Sequence, residues 1–76
     1  MNIVNGPIKS AIGLEPGDFW VKMNFVREIT EVTYLPVTQE VRISSNYITA
    51  HGKSSDVHVI SAYEQVKTLL LPEGDV

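Results

Sequence analysis

The chain has 76 residues, 43% hydrophobic and 20% charged, with a net charge of −3 and no cysteine. That composition is globular, unlike a disordered tail, and the length holds one domain, 1–76. Disulfide staples and thiolate metal sites are excluded, and the six Lys and Arg, none adjacent to another, lack the positive field that nucleic-acid phosphates require.

A chain this short buries only about 60% of its unfolded surface. Without disulfides, self-association is the expected supplement. Met1-Asn2-Ile3-Val4-Asn5-Gly6-Pro7 shows no basic region followed by a long apolar stretch, so no signal peptide is expected. Leu69-Leu70-Leu71 falls far short of a membrane span, and a cytoplasmic location is the default.

Residues 1–18 read as irregular, with a turn signal at Asn5-Gly6-Pro7. Glu15-Pro16-Gly17-Asp18 predicts a type II turn, Pro at the second position and Gly at the third. From Asp18 the pattern has period two. Phe19, Val21, Met23 and Phe25 would face a core, with Trp20 and Val26 opposite. Ile29–Leu35 is rich in β-branched and aromatic residues and reads as a second strand, ended by Pro36. Glu40–Ile43 is a short third strand.

Tyr47–His51 and Asp56–Ile60 flank Gly52-Lys53-Ser54-Ser55, which predicts a hairpin with a four-residue loop. A symmetric register pairs His51 with Asp56, Ala50 with Val57 and Thr49 with His58. Ile48, Ala50, Val57 and Val59 then take the buried face, and Tyr47, Thr49, His51, Asp56, His58 and Ile60 the wet one. Ser61-Ala62-Tyr63-Glu64 has the form of a capping box. Ala62, Tyr63, Val66, Leu69 and Leu70 recur at three and four, predicting a helix over 61–71 stopped by Pro72, with a tail at 72–76.

The expected fold is therefore α+β: an antiparallel meander of four to five strands over 19–60, with one C-terminal helix packed on one face. Its core would hold Val21, Met23, Phe25, Val32, Val41, Ile43, Ile48, Val57, Val59, Val66, Leu69 and Leu70.

Candidate sites are few. Tyr47, His51, Asp56 and His58 share one hairpin face, and two imidazoles with a carboxylate are donors a zinc ion accepts. Polar residues on the wet side of a hairpin are also what any half-buried sheet shows, so no metal and no cofactor is assigned. Gly52-Lys53-Ser54 matches the end of a phosphate loop, but position 47 is Tyr and a strand follows where a helix must. Ser44, Ser45, Ser54 and Ser55 sit in turns outside any nucleophile elbow. Glu28 and Glu31 are the one carboxylate pair at usable spacing, on a strand edge. Trp20 falls out of the apolar register and is an interface anchor or a half-covered side chain.

Residues 29–71 resemble the small bacterial flagellar and swarming-motility regulators and short phage-encoded relatives of that pattern. Val32-Thr33-Tyr34-Leu35, then Val41-Arg42-Ile43-Ser44 with Ile48, then Ser61-x-x-Glu64-x-Val66 carry the cadence. The resemblance implies a meander followed by a capped helix. It covers just over half the chain, any such arrangement shares it, and it is not counted as membership.

The reading these residues favour is a non-catalytic protein-interaction module of the regulator or inhibitor kind, homo-oligomeric, using Trp20, Tyr47, His51, Asp56 and His58 toward another protein. The alternatives are an oligomer binding a small ligand or nucleotide at its interfaces, and a structural component of a phage or other large assembly.

Overall fold

The computed structural model describes residues 4–70. It is a single six-stranded antiparallel sheet: β1 (Val4–Ser10), β2 (Phe19–Lys22), β3 (Phe25–Leu35), β4 (Glu40–Thr49), β5 (Gly52–Ser61) and β6 (Gln65–Leu70). A 3-10 turn, Ala11–Gly13, follows β1. Strand order is β1-β6-β2-β3-β4-β5. Hence β2 to β5 form a meander, and the chain then returns to place β6 between β1 and β2.

That return dictates the shape of the sheet. Four strand steps separate β5 from β6, about 19 Å if the sheet were flat. The connection Ala62–Glu64 reaches roughly 14 Å at most. The sheet must curl, and short bonds fasten the curl at one end. Ala62 N–H donates to Gln39 O at 2.9 Å, Ile12 N–H to Ala62 O at 3.0 Å and Ala11 N–H to Glu64 O at 2.9 Å. The concave face holds the core: Ala11, Leu14, Trp20, Ile29, Val41, Ile43, Ala62 and Val66, with Val32 and Ile60 against it.

The expected α+β fold is overturned, since residues 65–70 are a strand and no α-helix is present among the described residues. The capping-box residues do make one turn. Glu64 N–H donates to Ser61 O at 3.2 Å, and Tyr63 N–H reaches Ser61 Oγ at 3.4 Å. A helix of so few residues is marginal in water. Strand pairing on both sides, to β1 and to β2, outweighs it. Val66 and Thr68 are buried while Lys67 is exposed, the period-two pattern of a central strand. Leu71, Pro72 and the expected tail lie outside the described residues.

Residues read as irregular supply β1. The supposed single strand from Asp18 to Val26 is a hairpin, because Met23 and Asn24 both take positive φ, 55° and 68°, and reverse the chain. Two positive-φ central residues define a type I′ turn, whose usual signal is Asn-Gly. The turn inverts the expected faces of β2, while Phe25 and Val26 keep theirs. Trp20 is buried, 2% exposed, while Val21 and Met23 point outward and Phe25 is 39% exposed.

The β4–β5 hairpin forms in another register. Thr49 pairs with Gly52, Ser45 with Asp56 and Ile43 with His58, around a two-residue turn at Ala50-His51. Gly52 takes φ 115° there, a conformation only glycine adopts freely. Tyr47, Asp56, His58 and Ile60 thereby fall on the concave face, and Ile48, Val57 and Val59 on the exposed convex one, the reverse of the expected assignment. A register irregularity between Ile29 and Glu31 sets Thr30 apart as a bulge, so Ile29 and Val32 both serve the core although an odd spacing separates them. The Glu15–Asp18 turn forms as expected: Asp18 N–H donates to Glu15 O at 3.0 Å, with Gly17 at φ 96°.

Candidate functional site

One end of the concave face carries a connected set of polar and aromatic side chains. Its centre is Arg27, on β3 between Phe25 and Ile29 and only 2% exposed. A buried guanidinium is costly unless its donors and charge are met. Arg27 Nη1 lies 2.6 Å from both carboxylate oxygens of Asp56, and Nε donates to Lys22 O at 2.8 Å. The guanidinium also sits 4.2 Å from the Tyr47 ring centroid, a stacked cation–π contact. Phe25 and Tyr47 rings are 4.9 Å apart. The Arg27–Asp56 pair thus ties β3 to β5 across β4.

The set continues along β5. His58 Nε2 is 3.4 Å from Asp56 Oδ2 without a hydrogen bond, and the His58 ring meets the Trp20 ring edge-on at 5.8 Å. Trp20 lies three strands away, so this contact is a consequence of the curl. Trp20 Nε1, Ser45 Oγ and His58 Nε2 are buried with no hydrogen-bond partner. Ser45, His58 and Asp56 are the residue types of a hydrolytic triad. No hydrogen bond joins Ser45 Oγ to His58, and Ser45 is 1% exposed, so the three do not form an accessible nucleophile–base pair.

Four of the five residues singled out from sequence, Trp20, Tyr47, Asp56 and His58, therefore belong to one network, through Arg27. His51 does not. It sits exposed at the hairpin tip, its N–H donating to Thr49 Oγ1 at 3.1 Å, and Asp56 pairs with Ser45 instead. Among the described residues, no three His, Asp or Glu side chains come together as a metal set. Arg27 is the residue that sequence reasoning missed. Phe25, Arg27 and Ile29 share a period-two register, and a cation in such a register signals an inward charge awaiting a counterion. Arg42 is exposed opposite Val59 on the convex side, away from Arg27.

A second feature lies between β2 and β6. These strands pair only at Phe19–Leu69 and Trp20–Thr68. Beyond that they part, leaving a groove of ≈ 340 Å³ lined by Trp20, Lys22, Gln65, Val66 and Lys67 among others. No helix among the described residues is long and apolar enough to cross a membrane.

No protein-family model matches the chain, and no solved structure matches it. The Gene 83 protein of Mycobacterium phage L5 is 39% identical over 69 residues, which cover 91% of this chain and 96% of that protein. The chain belongs to the same family as that phage protein.

Proposed function

We propose that the chain is a non-catalytic interaction module, of the regulator or inhibitor kind, that acts in the cytoplasm by binding a second protein chain. One observation carries the reading. Among the described residues, thirteen large hydrophobic side chains are exposed while eight hydrophobic residues make up the buried core. Part of it is contiguous on the convex face. Val21 and Val26 stand directly opposite each other, 53% and 40% exposed. Ile48, 70% exposed, lies two residues beyond Asn46 as Val26 lies two before Glu28, its cross-strand partner. Exposed patches of this kind on a small protein mark contact surfaces.

Photo-crosslinking in infected cells tests it, with the probe at position 48 or, as a control on the same face, at Thr33. A discrete adduct to another protein from position 48 alone, lost in Val26→Lys, is the expected result. Adducts equally abundant from both positions, or none, would remove this face from the reading.

The groove supports a second reading, a small anionic ligand held near Lys22 and Lys67. Its volume stands at the lower end of the range for small-molecule sites, about 300–1,000 Å³. Native mass spectrometry of gently purified protein decides it by showing bound extra mass or none.

A further inference from the structure

We infer that β5 is a self-complementary edge, and that two copies of the chain join by antiparallel β5–β5 pairing centred on Val57. β5 is ten residues long, pairs with β4 from Gly52 to Ser61 without interruption, and has no other strand partner among the described residues. Its second row of backbone donors and acceptors is therefore available to another strand.

The side chains choose the occupant and the register. In two strands related by a two-fold axis, residues whose numbers share one sum lie opposite each other. The sum must be even, or concave residues of one copy would meet convex residues of the other. A sum of 112 sets Asp56 against Asp56, and 116 sets His58 against His58. The sum of 114 sets Asp56 of each copy against His58 of the other, twice, with Val57 against Val57 on the axis. Asp56 and His58 side chains are 32% and 20% exposed, both on the concave face, and Val57 is 46% exposed on the convex one. Lys53 then faces Ser61, and no like charges meet. A carboxylate opposite an imidazole N–H can be bridged by a hydrogen bond across a ladder, whereas two carboxylates set opposite each other cannot. The chain thus carries on one edge both halves of a matched pair, which a foreign strand supplies only by coincidence.

The inference rests on the interaction-module reading only in that the chain acts through protein contacts. Sedimentation of the wild type against concentration gives the assembly state, and single cysteines give the register, since the chain has none of its own. Directly opposed residues hold their Cα atoms about 4.5–5.5 Å apart, within disulfide reach. Val57→Cys should convert to a covalent dimer under mild oxidation. Val59→Cys should not, because the two copies of position 59 would lie about 13 Å or more apart. Val57→Lys, on an exposed position, should give a folded monomer by circular dichroism and sedimentation. Equal mixing of the folded Val57→Lys and Val57→Glu proteins should restore the dimer. A wild type that stays monomeric at all concentrations, or a dimer that cross-links equally at 57 and 59, overturns the self-pairing. Either result leaves the adduct from position 48 to be judged on its own.

Discussion

The two edges of the sheet meet solvent differently. β1 is seven residues long, contains Pro7, and loses register between Asn5 and Ile8. A missing donor and irregularity both discourage a strange strand from adding to an edge. β5 has none of these. Its deterrents are Lys53 near the turn and the inward Asp56, whose charge Arg27 already counters. One edge is closed by backbone chemistry, the other is governed by side-chain pairing. An edge governed by side chains can be made specific, which suits a protein that works by contact.

The largest effect should come from the pair that holds β5 down. Asp56→Ala leaves Arg27 buried without a counterion. Breaking a fully buried pair costs about 3–5 kcal/mol, and with Asp56 32% exposed the lower figure, about 3 kcal/mol, is expected in urea unfolding. Amide exchange should quicken in β5 and remain unchanged in β1. Adding Arg27→Met to Asp56→Ala should recover part of the loss, because the orphaned charge is then gone. A loss under about 1 kcal/mol would mean that β5 is held by its ladder alone.

The guarded edge breaks elsewhere. A Cβ at position 6 would lie 2.6 Å from Thr68 Oγ1, which donates to Pro7 O at 2.6 Å. Gly6→Ala must displace that hydroxyl, and a cost of about 2 kcal/mol is expected in the same measurement. Here exchange should quicken in β1 and β6 and leave β5 alone, the mirror of the first result. A third variant touches neither edge. Replacing Met23-Asn24 by Asn-Gly suits the left-handed turn and should raise stability by about 1 kcal/mol with exchange at both edges unchanged.

These three places also mark what the sequence disclosed and what it withheld. The Glu15–Asp18 turn was legible because proline and glycine fix it within four residues. The strand at Ile29–Leu35 was legible from β-branched content, as was the start of β4 at Glu40–Ile43, but β4 runs on to Thr49 through Ser44 and Ser45, which read as turn residues. The helix reading failed because β6 is specified by partners far away in sequence, Asn5 and Trp20 among them, while Ser61–Glu64 signals a turn that is real but short. The faces failed for a different reason. A turn without glycine at Met23-Asn24 and a bulge at Thr30 each shift parity, and the concave side accepts Arg27, Asp56 and His58 because they satisfy or offset one another. Polarity then no longer tells inside from outside. The site members Trp20, Tyr47, Asp56 and His58 were legible as chemistry, and the register of Arg27 with Phe25 and Ile29 marks it as inward, but its counterion Asp56 lies two strands away and is set by a hairpin register that the sequence misplaced.

The smallest effect tests the tether of the guarded edge. Lys9 on β1 donates to Asp18 Oδ2 at 2.9 Å, and Glu15 lies 4.0 Å away. The hydrogen bond to Asp18 above all, then the charges of Asp18 and Glu15, hold the Lys9 ammonium above the ordinary lysine value of 10.5, with partial desolvation working against them. A group whose pKa is raised on folding contributes stability that is complete below its unfolded value and fades as pH climbs through the folded one. The wild type should therefore lose a small increment of stability above pH 10.5, and Lys9→Met should lack that increment at neutral pH and show a flatter alkaline limb. Unfolding midpoints between neutral and strongly alkaline pH would show it. Because the ammonium is near the surface, added salt should shrink the difference between the two proteins. If their alkaline limbs ran parallel, the closure of the β1 edge would rest on Pro7 and the broken register, with no contribution from charge.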